Sequence, residues 1–441
     1  MHRLGNTVSS AASRKAIAIA AAAATLLGLA ACTSANSSTP KRSSAGQTSS
    51  APSGSPTTSG APSSAPASSS ASASAAVITA TAVGGATSAN PARPITVSVA
   101  NGTLSSVKLV NPAGRTVAGS LGPDGKTWTS SEDLGYSRTY KLTAVAQDGE
   151  GASVVKHAKF TTLTPNNQTM PYFNTVYGNS MQNGATYGVG MVAVVSFDED
   201  IPDKKAAEKA LTVTTTPHVD GAWYWTDNHT AHWRPQNYYT PGTKVRIDAK
   251  VYGTDLGHGL FGQADASTSF TVGAKHISIA NAKSHYVSVY FGDKLVRSMP
   301  TSMGQGGWVQ GKNGQISLWT MPGVYTVINH ENPAVMSSDS YGLPASSPYG
   351  YKAENVPWAT KISTDGIYLH ELDTTVWAQG SRNLSHGCLN LNYTNAKWFY
   401  QHSIVGDVVR VINSGGPAIK VWQGGDWSVP WSEWSAGGAA A

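Results

Sequence analysis

Short runs in which apolar and polar residues alternate recur along most of the chain, and stretches with helical spacing are few. The first group is Ile95-Thr96-Val97-Ser98-Val99, Val107-Lys108-Leu109-Val110 and Tyr140-Lys141-Leu142-Thr143-Ala144, closed by Phe160-Thr161-Thr162. Turns such as Gly122-Pro123-Asp124-Gly125 separate the runs, and this pattern predicts an antiparallel β-sandwich over residues 76–164. A second module of the same rhythm is expected over 165–273. Its Trp233, Tyr239, Val245-Arg246-Ile247-Asp248-Ala249 and Phe270-Thr271 echo Trp128, Tyr136, Tyr140 to Ala144 and Phe160-Thr161 of the first. Two immunoglobulin-like sandwiches are the simplest reading. One helix is predicted to interrupt the second, over 203–211, where Asp203 precedes a run of good helix formers.

The region 274–413 is again strand-rich. Ile277-Ser278-Ile279, Tyr286 to Phe291, Lys294-Leu295-Val296, Gly323 to Val327, Gly366 to His370 and Asp407 to Val411 all read as strands. A short helix is expected over 394–401, capped by Thr394 or Asn392. Residues 414–441 carry Trp422, Trp427, Trp431 and Trp434, large apolar surfaces that predict a tail packed on the body. The fold class is therefore mainly β.

The N-terminus breaks this pattern. A basic stretch through Lys15 leads into an apolar run, Ala16 to Ala31, which predicts an export leader over residues 1–31 and is short for a membrane span. It ends in Leu29-Ala30-Ala31-Cys32, which resembles the lipobox of bacterial lipoproteins, so Cys32 is the expected lipidation site. Residues 32–75 are almost wholly Ser, Thr, Ala, Pro and Gly. They are expected to form a disordered tether with a root-mean-square span of roughly 35–40 Å. The formal charge is +6; without Arg3, Arg14 and Lys15 of the leader it falls to +3. That surplus, with no Lys/Arg cluster, argues against a nucleic-acid partner.

The chain has only two cysteines. With Cys32 consumed by lipid, no intrachain disulfide can form, and Cys388 remains as the one free thiol. It lies in Ser385-His386-Gly387-Cys388-Leu389-Asn390, where a turn containing His and Gly suits a nucleophile and a small buried hydrophobe alike. A thiolate needs a base and donors for the developing oxyanion. His370, at the end of an apolar strand, is the favoured base; His386 is expected to point away and brace the loop. The backbone N–H groups of Gly387 and Cys388 are candidates for the oxyanion hole, on a path that glycine permits. His218, His229, His232 and His258 fall in predicted loops or strand edges without ligand-like spacing. No third or fourth metal ligand joins the Cys and His pair. No cofactor is implied.

The Ser385 to Asn390 run resembles the Ser/Thr-His-Gly-Cys signature of the L,D-transpeptidases, enzymes with a YkuD-type catalytic domain. Met299-Pro300-Thr301-Ser302-Met303-Gly304, Tyr341-Gly342, Ser347-Pro348-Tyr349-Gly350-Tyr351, Trp377-Ala378-Gln379-Gly380 and Gly425-Asp426-Trp427 to Trp431 resemble the family's lipoprotein members with two immunoglobulin-like domains. The resemblance covers nearly everything after about residue 90. It implies that Cys388 attacks the L,D bond of a peptidoglycan tetrapeptide stem, releases D-Ala and passes the acyl group to a neighbouring stem's amine, giving a 3→3 crosslink. By the same resemblance His370 is the general base, Ser385, His386 and Gly387 shape the loop, and Asn390 supports it. Tyr341, Tyr351 and Met336 belong to a lid over the donor, Trp377 counts among the substrate contacts, and penems and carbapenems acylate Cys388. Water or a protein amine as acceptor would make a carboxypeptidase or a protein-anchoring enzyme; a vestigial site would leave a wall-binding structural lipoprotein. Glu371 departs from the small residue usual after the histidine. Its side chain either points to solvent, the favoured reading, or brings its carboxylate near the imidazole, which would raise the imidazole pKa and shift the pH optimum modestly.

Overall fold

The computed structural model describes residues 74–82 and 87–437. The expected leader, Cys32 and nearly all of the tether lie outside the described residues.

The first alternating runs close into two facing sheets. One is four-stranded, in the order Val77–Ala80, Thr96–Ala100, Thr127–Ser130, Gly119–Leu121; the other is three-stranded, with Thr139–Asp148 between Gly102–Val110 and Ser153–Thr161. The inward positions of the alternation, Val97, Val99, Leu109, Trp128, Leu142, Ala144 and Phe160, make its core. Burying each large side chain contributes about 1.5–3 kcal/mol. The second sandwich faces the sheet Ala185–Tyr187, Ala266–Val272, Lys244–Ala249, Leu211–Thr216 against Gly221–Trp225, Thr230–Pro235, Ala193–Phe197, Pro171–Asn174. Val195, Phe197, Trp225, Trp233, Ile247 and Phe270 fill it. Its helix spans Lys204–Ala210, and the Asp203 side chain accepts from the Ala206 N–H at 2.9 Å. Tyr136 joins the two sandwiches, donating to the Gly262 carbonyl at 2.7 Å and accepting from the Gly253 N–H at 2.7 Å.

After residue 275 a five-stranded sheet runs Lys294–Pro300, Tyr286–Phe291, His276–Asn281, Val408–Ile412, Gly323–Thr326. A four-stranded sheet packs near it, in the order Asn329–Glu331, Ala359–Lys361, Tyr368–Glu371, Leu389–Leu391. Val287, Met299, Met303, Tyr325, Leu369, Leu389, Leu391 and Phe399 are buried together between them. The helix is Tyr393–His402, and its cap is Asn392, which accepts from the Asn395 N–H at 2.9 Å. The expected strand Gly366 to His370 begins two residues later, at Tyr368. Residues 363–366 turn first: Ser363 Oγ accepts from the Ile367 N–H, and Gly366 adopts φ +102°.

The second sandwich meets this region through both side chains and backbone: Val408 packs into the sandwich core, and Lys361 Nζ donates to the Tyr177 hydroxyl at 2.9 Å. Gly188 N–H donates to the Val405 carbonyl at 2.8 Å, and a Cβ on Gly188 would lie 2.2 Å from the Asp407 nitrogen. Only glycine permits that approach. The segment after residue 414 lies across the same junction. Arg234 is almost fully buried, its guanidinium 4.3 Å from the Trp434 ring and 4.7 Å from the Trp427 ring, and it donates to the Val429 carbonyl at 2.8 Å. Such stacking suits a planar cation that must leave water. Trp434 is fully buried, whereas Trp422 is 67% exposed. His232 occupies a strand bonded on both sides and is buried against Asp426 at 2.5 Å. The sequence placed it at a loop or edge because its charged partner lies 194 residues away.

Candidate active site

Strands Tyr368–Glu371 and Leu389–Leu391 pair in parallel, with His370 opposite Asn390. Cys388 immediately precedes the second strand. Both side chains face one cavity of about 790 Å³. The turn carrying the thiol is pinned by its own side chain: Ser385 Oγ donates to the Cys388 carbonyl at 2.6 Å and accepts from the Gly387 N–H at 3.1 Å. Gly387 adopts φ +140°, a conformation that side chains rarely tolerate. Its carbonyl accepts from Thr320 Oγ1 at 2.7 Å, and that hydroxyl accepts from the Gly304 N–H at 2.9 Å. Asn390 exchanges backbone hydrogen bonds with Ser302 at 2.9 and 3.2 Å, so the Met299 to Gly304 segment braces the turn. Because Gly387 N–H is already given to Ser385, the Cys388 amide is the less encumbered of the two expected oxyanion donors.

His370 is 6% exposed, and its Nδ1 lies 2.7 Å from the Glu371 carbonyl. A carbonyl only accepts, so Nδ1 carries the proton and Nε2 keeps its lone pair. Burial lowers the imidazole pKa from 6.5, with the Glu371 carbonyl acting in the opposite direction. The Cys388 thiol keeps some surface open to the cavity but is packed closely enough that burial pushes its pKa up to about 11. It donates to the Gly366 carbonyl at 3.5 Å. At neutral pH the thiol therefore rests protonated. The resting pair is thus a neutral thiol and a neutral imidazole, an arrangement in which an unprotonated Nε2 could accept a proton. His386 does not point away as expected: it lines the same cavity, its ring centroid 5.4 Å from that of Tyr351, and burial lowers its pKa.

The Glu371 carboxylate does not turn to the imidazole. Its Oε1 accepts from the Asp373 N–H at 2.7 Å, at the start of the short helix Asp373–Thr375. The side chain is thus held by the backbone of the next turn, and the alternative of a carboxylate raising the imidazole pKa has no source in this geometry. Tyr341, Tyr351 and Met336 line the cavity on the hairpin Ala334–Ser337 and Lys352–Val356 and the helical turn Ser338–Tyr341. The Tyr341 hydroxyl is pushed up to about 12 by burial. Trp377 is not part of that wall. It is 65% exposed, 5.4 Å from the Arg382 guanidinium, while Leu372 and Thr375 of the same turn face the cavity.

Sequence reading missed Thr320, Asp365 and Gln423. Asp365 lines the cavity and accepts from Ser363 Oγ at 2.6 Å and from Gln423 Nε2 at 2.5 Å. The only local signal was the turn-forming Ser363-Thr364-Asp365-Gly366 itself. Among the described residues no group of three or more His, Cys, Asp or Glu is gathered to hold a metal ion.

Family models match two parts of the chain: a bacterial Ig domain over residues 86–255 and the YkuD L,D-transpeptidase catalytic domain over 275–411. L,D-transpeptidase 2 of Mycobacterium tuberculosis is 41% identical over 81% of this chain and 83% of its own length. L,D-transpeptidase 5 of the same organism is 33% identical over 79% of this chain and 74% of its own. A solved L,D-transpeptidase in complex with imipenem aligns over 55% of this chain and 99% of that one, at 27% identity and a TM-score of 0.45.

Proposed function

The chain belongs to the L,D-transpeptidase family, and on that premise we propose that it forms 3→3 peptidoglycan crosslinks through a thioester on Cys388. His370 Nε2 takes the thiol proton as sulfur attacks the carbonyl of the third stem residue. The C–S bond forms, the C–N bond to D-Ala breaks, and D-Ala leaves with the proton from His370. The amine of a second stem then attacks the thioester. His370 takes one of its protons and returns it to the departing sulfur. Burial favours neutral partners before and after each step, so charge exists only in the transition states and intermediates.

The observation that carries this reading is the fixed tautomer: Nδ1 donates to the Glu371 carbonyl at 2.7 Å, which presents an unprotonated Nε2 to the cavity that holds the thiol. Ser385, His386, Gly387 and Asn390 hold the turn, and Tyr341, Tyr351 and Met336 cover the donor. The same reading has the enzyme work outside the cytoplasm, lipidated at Cys32, with residues 32–75 spacing the body from the membrane. Tetrapeptide muropeptides incubated with the protein and resolved by mass spectrometry test the reaction. Crosslinked dimer is expected; tripeptide alone would mean hydrolysis and contradict it.

A further inference from the structure

Two walls of different origin close the cavity. One is the hairpin with Met336, Tyr341 and Tyr351; the other is built by Asp365 and Gly366 with the post-414 segment, including Lys420, Trp422 and Gln423. The second wall carries charge that catalysis by a thiolate does not explain. Asp365 sits close enough to Cys388 that its carboxylate favours the protonated thiol. A negative charge there also opposes an oxyanion. Both of its hydrogen bonds come from neutral donors, a hydroxyl and an amide, and it forms no ion pair among the described residues. An anion so placed becomes favourable once a cation joins it.

We propose that Asp365 docks the ammonium group of the acceptor stem and, with the adjacent Gly366 carbonyl, aims that amine at the thioester. The inference rests on the transpeptidase reading above. The thiol already points at Gly366, so an acyl group on sulfur is formed next to these two acceptors. Lys420, exposed on the same wall, supplies the opposite charge, matching a stem peptide that bears both an amine and a carboxylate. The docked ammonium first gives one proton to solvent, which frees the nitrogen lone pair, and His370 Nε2 takes a second as nitrogen bonds to the carbonyl carbon. The C–S bond then breaks, and sulfur receives that second proton from His370, leaving a neutral amide and a neutral thiol. Asp365 keeps its charge throughout, so it is a docking residue and takes no proton.

The test compares full-length wild type with Asp365→Asn and Asp365→Glu, using a tetrapeptide muropeptide as donor and an isotopically labelled tripeptide as acceptor. Losing one charge-assisted hydrogen bond costs about tenfold or more in acceptor use. Asp365→Asn is therefore expected to lower the ratio of labelled dimer to hydrolysed tripeptide about tenfold and to raise KM for the acceptor. Its acylation by a carbapenem and its D-Ala release from donor should not slow, and Asp365→Glu should restore part of the ratio. An unchanged ratio overturns the proposal. So does a parallel fall in acylation and transfer, which would mean that Asp365 only holds Gln423 and the tail, or a fall confined to D-Ala release, which would assign the carboxylate to the donor's amine. Wild type that makes no dimer overturns the transpeptidase reading and this one with it; dimer with an unaltered variant ratio overturns this one alone.

Discussion

One hydroxyl, that of Ser385, closes the turn around the thiol by donating to one end of it and accepting from the other. Ser385→Ala leaves the Gly387 N–H and the Cys388 carbonyl without that partner, at about 1–3 kcal/mol for a buried group. A fall in carbapenem acylation of roughly tenfold or more is expected, read by following adduct formation with time; wild-type rates would contradict it. A second residue-scale prediction concerns pH. The reactive pair needs an unprotonated Nε2, and burial places the His370 pKa below 6.5. The acylation rate should therefore hold as pH falls to 6.5 and drop only below it. Glu371→Ser should leave that limb in place, because the carboxylate is engaged with Asp373. A limb that moves in the variant would return the carboxylate to the imidazole. Cys388 and His370 could be singled out in the sequence by residue type and immediate neighbours, and both line the cavity. Thr320 could not, because it reaches the turn through a contact 67 residues long, and Asp365 could not, because its place in the cavity wall is set by its turn and by Gln423, 58 residues away.

At the scale of elements, the site depends on a parallel pair of strands that a single-residue slip would turn inside out, since successive side chains face opposite ways. The alternating runs and the Asn392 cap made most strands and the helix legible. The turn before Tyr368 escaped because side-chain bonding of Ser363, not hydropathy, sets where the strand starts. The tail is the other element that matters, reaching from the second sandwich to Asp365 through Gln423. Its anchor is Arg234, held by tryptophan rings and by carbonyls of the tail. Arg234→Ala should cost about 3 kcal/mol, because it leaves the buried Asp426 carbonyl and the Val429 carbonyl without their donor and removes the cation stacked on the tryptophan rings. Chemical denaturation would show this as a lowered midpoint, and a variant as stable as wild type would contradict the role given to Arg234.

For the whole molecule, two sandwiches and the catalytic region follow one another along the chain, as the repeating rhythm of short strands predicted. Their junctions were not legible: Gly188 against Val405 and Arg234 beneath Trp434 are long-range contacts with no local pattern. Buried histidines set a molecular pH response. His330, His370 and His386 are all lowered from 6.5 by burial, so the unfolded chain binds more protons than the folded one once pH falls below that value. Their contribution is fully present above pH 6.5 and is lost on acidification. Asp407, raised from 3.8, acts in the opposite sense at lower pH. Melting temperature should fall between pH 7 and 5; a rise over that range would contradict the burial of these rings.

If Cys388 carries the acyl group, intact-mass spectrometry after exposure to a carbapenem will show one adduct per wild-type chain and none on Cys388→Ala. An adduct that persists on Cys388→Ala, or a wild-type chain that stays unmodified, would contradict it.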